Sequence, residues 1–194
     1  MRIDLRIYKK QLRSEIRAIR KGMNEPLRAE KDRLIFQRLI RLPQYQKAKT
    51  IITYISTALE VDTRKLMLKA WEDGKKVAVP RCIAGTRQME MCYIDSMDDL
   101  ETGSYNIPEP KQSCTLCQNW KNSLCIVPAF CNDKQGYRLG YGGGYYDRFL
   151  SQYSGVTLGI NYSECVRDSI HHGRYDIPLQ MLLTERDKYY FKQK

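Results

Sequence analysis

Long apolar runs are missing from this chain. The longest, Leu124–Cys131, has eight residues and contains Pro128, against the roughly 20 that a membrane-crossing helix requires. A helical span is therefore excluded. Histidine is scarce, with only His171 and His172 present. No Gly-x-Ser-x-Gly elbow accompanies them, so a Ser-His-Asp or Cys-His nucleophile has no anchor and the pair reads as surface loop. Acidic surplus is lacking too: 33 Lys+Arg stand against 22 Asp+Glu, a net charge of +11. The start, Met1-Arg2-Ile3-Asp4-Leu5-Arg6, carries charge where an export signal needs its apolar stretch, so a cytoplasmic location is expected. Seven cysteines, an odd number, suit a reducing compartment without disulfides. Cys114 and Cys117 with Cys125 and Cys131 resemble a zinc set only superficially, because the second pair is spaced by six and lies on a strand-like run.

What is present points to one globular unit. At 194 residues the chain can bury a full core, and 42% of it is hydrophobic and spread along its length. We therefore read residues 1–194 as a single domain. Leu5, Tyr8, Leu12, Ile16, Ile19 and Met23 recur at spacings of three and four, one stripe of an amphipathic helix that Gly22 can end. Lys9, Arg13, Arg17 and Arg20 follow one residue behind as a cationic ridge. Asn24 and Pro26 open a second helix with Leu27, Leu34, Ile35 and Leu39 inward, which Pro43 is expected to stop. Residues 1–41 alone supply +8 of the charge, from 13 basic and five acidic residues.

Beyond Pro43 the pattern alternates. β-rich runs at 50–56, 76–80, 89–94, 124–129, 156–160 and 181–184 are interrupted by helix-like stretches at 63–73 and 145–152. This predicts an α/β fold: a three-layer α/β/α arrangement with a mostly parallel, Rossmann-like sheet and an N-terminal helical pair. Residues 101–122, rich in turn formers, read as a long surface excursion. In open sheets of this kind, ligands bind at the carboxyl ends of the strands.

Five of twelve glycines fall between 136 and 144. Such a loop lets backbone amides approach an anion closely. Its spacing is neither the dinucleotide pattern nor the Walker pattern, since Tyr145 stands where the former needs glycine and no Gly-Lys-Ser/Thr occurs. Arginine before it, two tyrosines after it and Asp147 next suit a nucleotide with its magnesium.

The string Arg138-Leu139-Gly140-Tyr141-Gly142-Gly143-Gly144-Tyr145-Tyr146-Asp147 resembles the Arg-Leu-Gly-x-Gly-x-Gly-Tyr-Tyr-Asp hallmark of the 5-formyltetrahydrofolate cyclo-ligase (methenyltetrahydrofolate synthetase) family. Lys9-x-x-x-Arg13, Ser56-x-x-x-Glu60, Pro80-Arg81, Met89-Glu90-Met91, Tyr105 to Pro110, and Asp176 ahead of Thr184-Glu185 follow in the family's order. The resemblance implies an enzyme that uses ATP and Mg²⁺ to convert 5-formyltetrahydrofolate to 5,10-methenyltetrahydrofolate, releasing ADP and phosphate by way of a phosphorylated formyl oxygen.

Carried onto this chain, the resemblance implies ATP contacts from Lys9, Lys10, Gln11, Leu12 and Arg13 and from Arg138, Leu139, Gly140, Tyr141, Gly142, Gly143, Gly144, Tyr145 and Tyr146. It implies Mg²⁺ ligation by Asp147 and Asp176, folate contacts from Ile55, Glu60 and Tyr105, and catalytic parts for Arg138, Tyr146 and Glu60. Tyr141 and Gly143 stand where some relatives carry Arg and Lys, so the loop brings fewer fixed charges to the phosphates. The expected partners are the two small substrates, with neither nucleic acid nor membrane, and the expected state is a monomer. A basic nucleic-acid-binding module and an ATP-dependent ligase on another substrate are the alternatives; the first needs aromatics interleaved with the basic residues, whereas here the aromatics gather at the glycine loop.

Overall fold

The computed structural model describes residues 4–103 and 106–192. Helix α1 (Leu5–Gly22) is capped by the Asp4 carboxylate, which accepts from the amides of Arg6 and Ile7. Asn24 Oδ1 accepts from Leu27 N at 2.9 Å and starts α2 (Glu25–Ile40). Both caps satisfy amides that a helix end leaves without partners. Pro43 does not act as a stop. Helix α2 has already ended at Ile40, and Pro43 opens a short α3 (Pro43–Lys47), where a residue without N–H costs nothing.

Strand β1 (Thr50–Ile52) leads through a long loop to α4 (Arg64–Glu72), and β2 (Lys76–Cys82) and β3 (Met89–Ile94) follow. The expected excursion then folds a small hairpin, β4 (Leu100–Thr102) with β5 (Pro108–Pro110). Buried β6 (Ser123–Val127) precedes β7 (Cys131–Asp133) and β8 (Arg138–Leu139). Next come α5 (Tyr145–Leu150), β9 (Val156–Ile160), β10 (Val166–Arg167), β11 (Met181–Leu183) and β12 (Lys188–Tyr190).

The main sheet has the order β12-β11-β9-β6-β1-β2-β3. Its five inner strands run parallel, and β12 and β3 close the edges antiparallel. Side chains alternate across it, as strand geometry demands. Ile51, Val77, Val79, Leu124 and Ile126 join one core with residues from α1, α2, α3 and α4. Ile52, Ala78, Cys125 and Val127 join the other with Phe149 and Leu150 of α5. The expected three layers and N-terminal helical pair are therefore present. Cys117, Cys125 and Cys131 are divided between these two cores and, like the other four cysteines, are free thiols.

Three residues depart from the helical pattern. Leu5 and Leu27 lie at helix starts and stay exposed, where nothing of the core reaches them. Arg20, read as part of the cationic ridge, is 2% exposed. Its guanidinium donates to the carbonyls of Ala129 and Phe130 and to Asn161 Oδ1, which lie just past the ends of β6 and β9. The ridge therefore turns inward at its C-terminal end. Among the described residues no helix is long and apolar enough to cross a membrane.

A buried ion pair fastens α2 to the last turn before β12. Lys31 Nζ lies 2.5 Å from Glu185 Oε1, with both side chains 5% exposed, and 2.7 Å from Glu164. Burial alone would raise the Glu185 carboxyl, but hydrogen bonds from Lys31 and Ser163 outweigh it and hold it below its ordinary value. Replacing Lys31 by Met leaves that carboxylate buried without its cation, so urea unfolding of Lys31→Met should show a loss of about 3 kcal/mol. Because the folded carboxyl titrates below the unfolded one, near roughly 4.3, this stabilisation is complete above that pH and fades as pH falls through the folded value. The difference between wild type and variant should shrink in the same window.

Candidate active site

The loop that matters begins where β8 ends. Strand β8 pairs not with the main sheet but with β7, in a small sheet with β10, through a hairpin turned at Gly136. Phe130 N donates to Leu139 O at 2.8 Å, which sets the start of the glycine loop beside the carboxyl end of β6. Two glycines in it are required by geometry. Gly142 has φ +103°, and a Cβ there would lie 3.3 Å from the Arg13 guanidinium; Gly144 has φ +70°, and a Cβ there would lie 2.7 Å from Arg148 Nη1. Gly144 is also the N-cap of α5, so the loop ends on helix amides.

Helix α1 forms the facing wall. Arg13 Nε donates to Gly140 O at 2.9 Å, and Lys9 Nζ pairs with Asp176 Oδ2 at 2.5 Å. Their i, i+4 spacing puts both on the face that meets the loop. Between them Leu12 turns into the hydrophobic core, and Lys10 and Gln11 point to solvent. Of the expected 9–13 stretch, then, Lys9 and Arg13 alone make side-chain contacts with this site. Burial lowers the Arg13 pKa, which remains in the range where the group stays charged.

Arg138 knots the site from beneath. Its side chain is 3% exposed and donates to Asp147 Oδ1 and to Ile177 O, both at 2.7 Å. Ile177 N donates back to the same Asp147 oxygen at 3.3 Å. The two expected metal ligands, Asp147 and Asp176, are thus drawn to one place by a buried guanidinium and by the peptide joining Asp176 to Ile177. Asp147 makes both of these contacts through Oδ1; Asp176 accepts from Lys9 and from Gly173 N through Oδ2. These hydrogen bonds leave each carboxylate a second hard oxygen, Oδ2 of Asp147 and Oδ1 of Asp176, a donor type that suits Mg²⁺ completed by phosphate oxygens. Burial works to raise the Asp176 carboxyl, but Lys9 and the Gly173 amide overcome it and hold it low.

On the other side stands Glu60, 7% exposed, after β1. Its Oε2 accepts from Thr57 N and Thr57 Oγ1, both at 2.8 Å, and its Oε1 accepts a short hydrogen bond from the Tyr141 phenol. Ile55, near the end of the same strand run, belongs to the core. Tyr146, on the first turn of α5, is partly buried against the second core; desolvation first, then the neighbouring Cys125 and Glu60, push its phenol well above the ordinary value. Tyr145 points away, with its hydroxyl 3.3 Å from Thr86 O. Tyr105 lies outside the described residues.

Residues that the motifs did not indicate complete the site. Thr57 anchors Glu60, and the Thr-x-x-Glu spacing that permits this is visible in the sequence. Phe130 lies under the Tyr141 ring, with centroids 4.5 Å apart, and Arg17 sits 5.4 Å from the Phe130 centroid. No local signal links those three. The histidines remain outside: His171 packs edge-on against Tyr8, and His172 stacks on Tyr137 at 3.5 Å.

The sequence profile of the 5-formyltetrahydrofolate cyclo-ligase family matches residues 6–185. A mitochondrial 5-formyltetrahydrofolate cyclo-ligase of Arabidopsis thaliana is 33% identical over 160 residues, a match covering 75% of this chain and 58% of that protein. A 5-formyltetrahydrofolate cyclo-ligase of Haemophilus influenzae is 28% identical, covering 91% of this chain and 97% of its own length. The structure of 5,10-methenyltetrahydrofolate synthetase from Aquifex aeolicus superposes with a TM-score of 0.84 at 27% identity, over 96% of this chain and 94% of that one.

The Lys9–Asp176 pair gives a direct check on this geometry. Replacing Lys9 by Met removes the cation that holds the Asp176 carboxyl low, so its titration, followed by carboxyl-carbon NMR, should move upward. An unchanged titration would mean that the pair is not formed in solution.

Proposed function

The chain belongs to the 5-formyltetrahydrofolate cyclo-ligase family, and on that premise we propose how its residues bring about the conversion of 5-formyltetrahydrofolate to 5,10-methenyltetrahydrofolate with ATP as co-substrate. The whole chain, 1–194, acts as one catalytic domain. A formamide oxygen is a poor leaving group, and phosphorylating it makes it a good one. The formyl oxygen attacks the terminal phosphorus of ATP, ADP departs, and N10 then closes on the activated carbon as phosphate leaves.

Such a sequence needs two polyanionic substrates held edge to edge, with their charge offset. The observation that carries this reading is the double anchorage of the glycine loop. On one flank it meets the cation Arg13, with Lys9 beside it, and on the other it meets Glu60 through Tyr141. The backbone of Arg138–Tyr146 would cradle the phosphates, with Lys9 and Arg13 neutralising them. Lys10, Gln11 and Leu12 would contribute through the helix that carries those two cations, since their own side chains face elsewhere.

Glu60 would accept a hydrogen bond from a pterin N–H through Oε1, because Thr57 already fills Oε2 with two donors. Ile55 would line the apolar side of the ring, and Tyr105 would pack on its face. Arg138, buried beneath the loop, would keep it in place, and Tyr146 would hold the reacting groups in line from α5. Asp147 and Asp176 would hold Mg²⁺, which when bound shields phosphate charge and orients the terminal phosphoryl group.

A basic nucleic-acid binder fits less well. Arg20 of the ridge is buried in the interior, and Lys9 and Arg13 face the glycine loop and Asp176, so the ridge offers no continuous exposed track for a phosphate backbone. We place the enzyme in the cytoplasm, acting as a monomer on its two small substrates.

Purified protein given 5-formyltetrahydrofolate and Mg-ATP should develop the absorbance of the methenyl product. Arg13→Ala and Asp147→Ala should each lower kcat/KM by about 10²-fold or more. Glu60→Gln should raise the KM for the folate by about tenfold or more. Wild-type kinetics in all three folded variants would overturn the assignment.

A further inference from the structure

Tyr141 stands at a variable position of the glycine string, where the family resemblance assigns only a backbone role. Its side chain does something specific here. The phenol donates to Glu60 Oε1, while Thr57 holds the opposite oxygen through two hydrogen bonds of 2.8 Å. The ring rests on Phe130 at a tilt of 51°, and the guanidinium carbons of Arg17 and Arg20 lie 5.4 and 5.6 Å from the Phe130 centroid on α1. The main chain to either side of Tyr141 is fixed by Arg13, which binds Gly140 O and lies against Gly142.

Residue 141 is therefore held at two places by two different parts of the site. Its backbone belongs to the loop that would carry phosphate, and its hydroxyl belongs to the carboxylate that would carry the pterin. Tyr141 as a whole is exposed, but desolvation around its hydroxyl and the adjacent Glu60 charge push the phenol up, so it remains a donor.

We propose that Tyr141 is a positioning residue that couples the two substrate sites: a nucleotide ordering the glycine loop fixes the Tyr141 hydroxyl on Glu60 Oε1 and so presents the carboxylate to the reduced pterin. The inference rests on the reading of Glu60 as the folate-binding carboxylate and adds to it the route by which the nucleotide loop acts on it. Only Oε1 is affected by the loop, because Thr57 holds Oε2 independently of it. The Tyr141 contact occupies one acceptor direction of Oε1 and leaves the other for a pterin N–H. Coupling of this kind is reciprocal, so bound folate tightens the nucleotide by the same factor as nucleotide tightens the folate.

The test is calorimetric titration of 5-formyltetrahydrofolate into wild type, Tyr141→Phe, Glu60→Gln and the double variant, each with and without a non-hydrolysable Mg-ATP analogue. Phenylalanine keeps the ring on Phe130 and removes only the hydroxyl. In wild type the analogue should tighten folate binding by about tenfold. In Tyr141→Phe that factor should fall to within twofold of unity, with the affinity for the analogue alone unchanged. The double variant should bind folate no more weakly than Glu60→Gln alone, because the hydroxyl acts only through that carboxylate. Turnover should show the same division, with the folate KM rising in Tyr141→Phe more than kcat falls.

Full coupling in a folded Tyr141→Phe protein, or additive losses in the double variant, would overturn the inference and leave the function intact. A wild-type chain that binds no 5-formyltetrahydrofolate would overturn the functional reading and this inference with it.

Discussion

One buried charge organises the centre of this molecule. The Arg138 guanidinium is almost wholly withdrawn from water and directs its hydrogen bonds to Asp147 on α5 and to the carbonyl of Ile177. A guanidinium left unpaired at such depth would cost several kcal/mol. The chain therefore has to bring the start of α5 and the 176–177 peptide to it. Once they are there, both ends of the glycine loop are fixed, because Arg138 precedes the loop and Asp147 follows it. Between those ends the loop is met by Arg13 at Gly140 and by Glu60 at Tyr141.

That arrangement explains why α1 forms one wall of the candidate active site even though the sheet is built from later residues. Asp176, brought in beside Arg138, pairs with Lys9, and Gly140 offers its carbonyl to Arg13. Meanwhile Leu12 and Ile16 bury the adjoining stripe of the helix in the core. Packing thus decides which cations of the ridge reach the loop. Arg20, one step further along, is carried into the interior and supports the carbonyls where β6 ends. A linear run of basic residues becomes two groups, one lining the glycine loop and one bracing the strands behind it.

Function follows from the same economy of placement. The proposed phosphoryl transfer to a formyl oxygen would need cations, a backbone cradle and a carboxylate for the pterin within one small volume. The carboxyl ends of β1 and β6, lying next to each other in the sheet, provide that meeting place. Glu60 comes from the loop after β1. The glycine loop arrives by way of the small β7–β8 hairpin, which re-aims the chain after β6 toward α1 and Glu60 together.

Much of this was legible before any coordinates. Helix periodicity located α1, Asn24 announced α2, alternation of strand and helix implied the layered α/β core, and the glycine string with its flanking residues singled out the loop. These features are local, since propensity, capping and side-chain period act over a few residues. Pro43 was misread because proline signals both a helix end and a helix start, and Leu5 and Leu27 because helix termini outrun the core. Tertiary structure alone decided that Arg20 is buried, which oxygen of each carboxylate accepts the hydrogen bonds within the chain, and that Tyr141 meets Glu60 across 81 residues of chain. Contacts of that range depend on how whole layers pack against one another, and no periodicity within a segment records them.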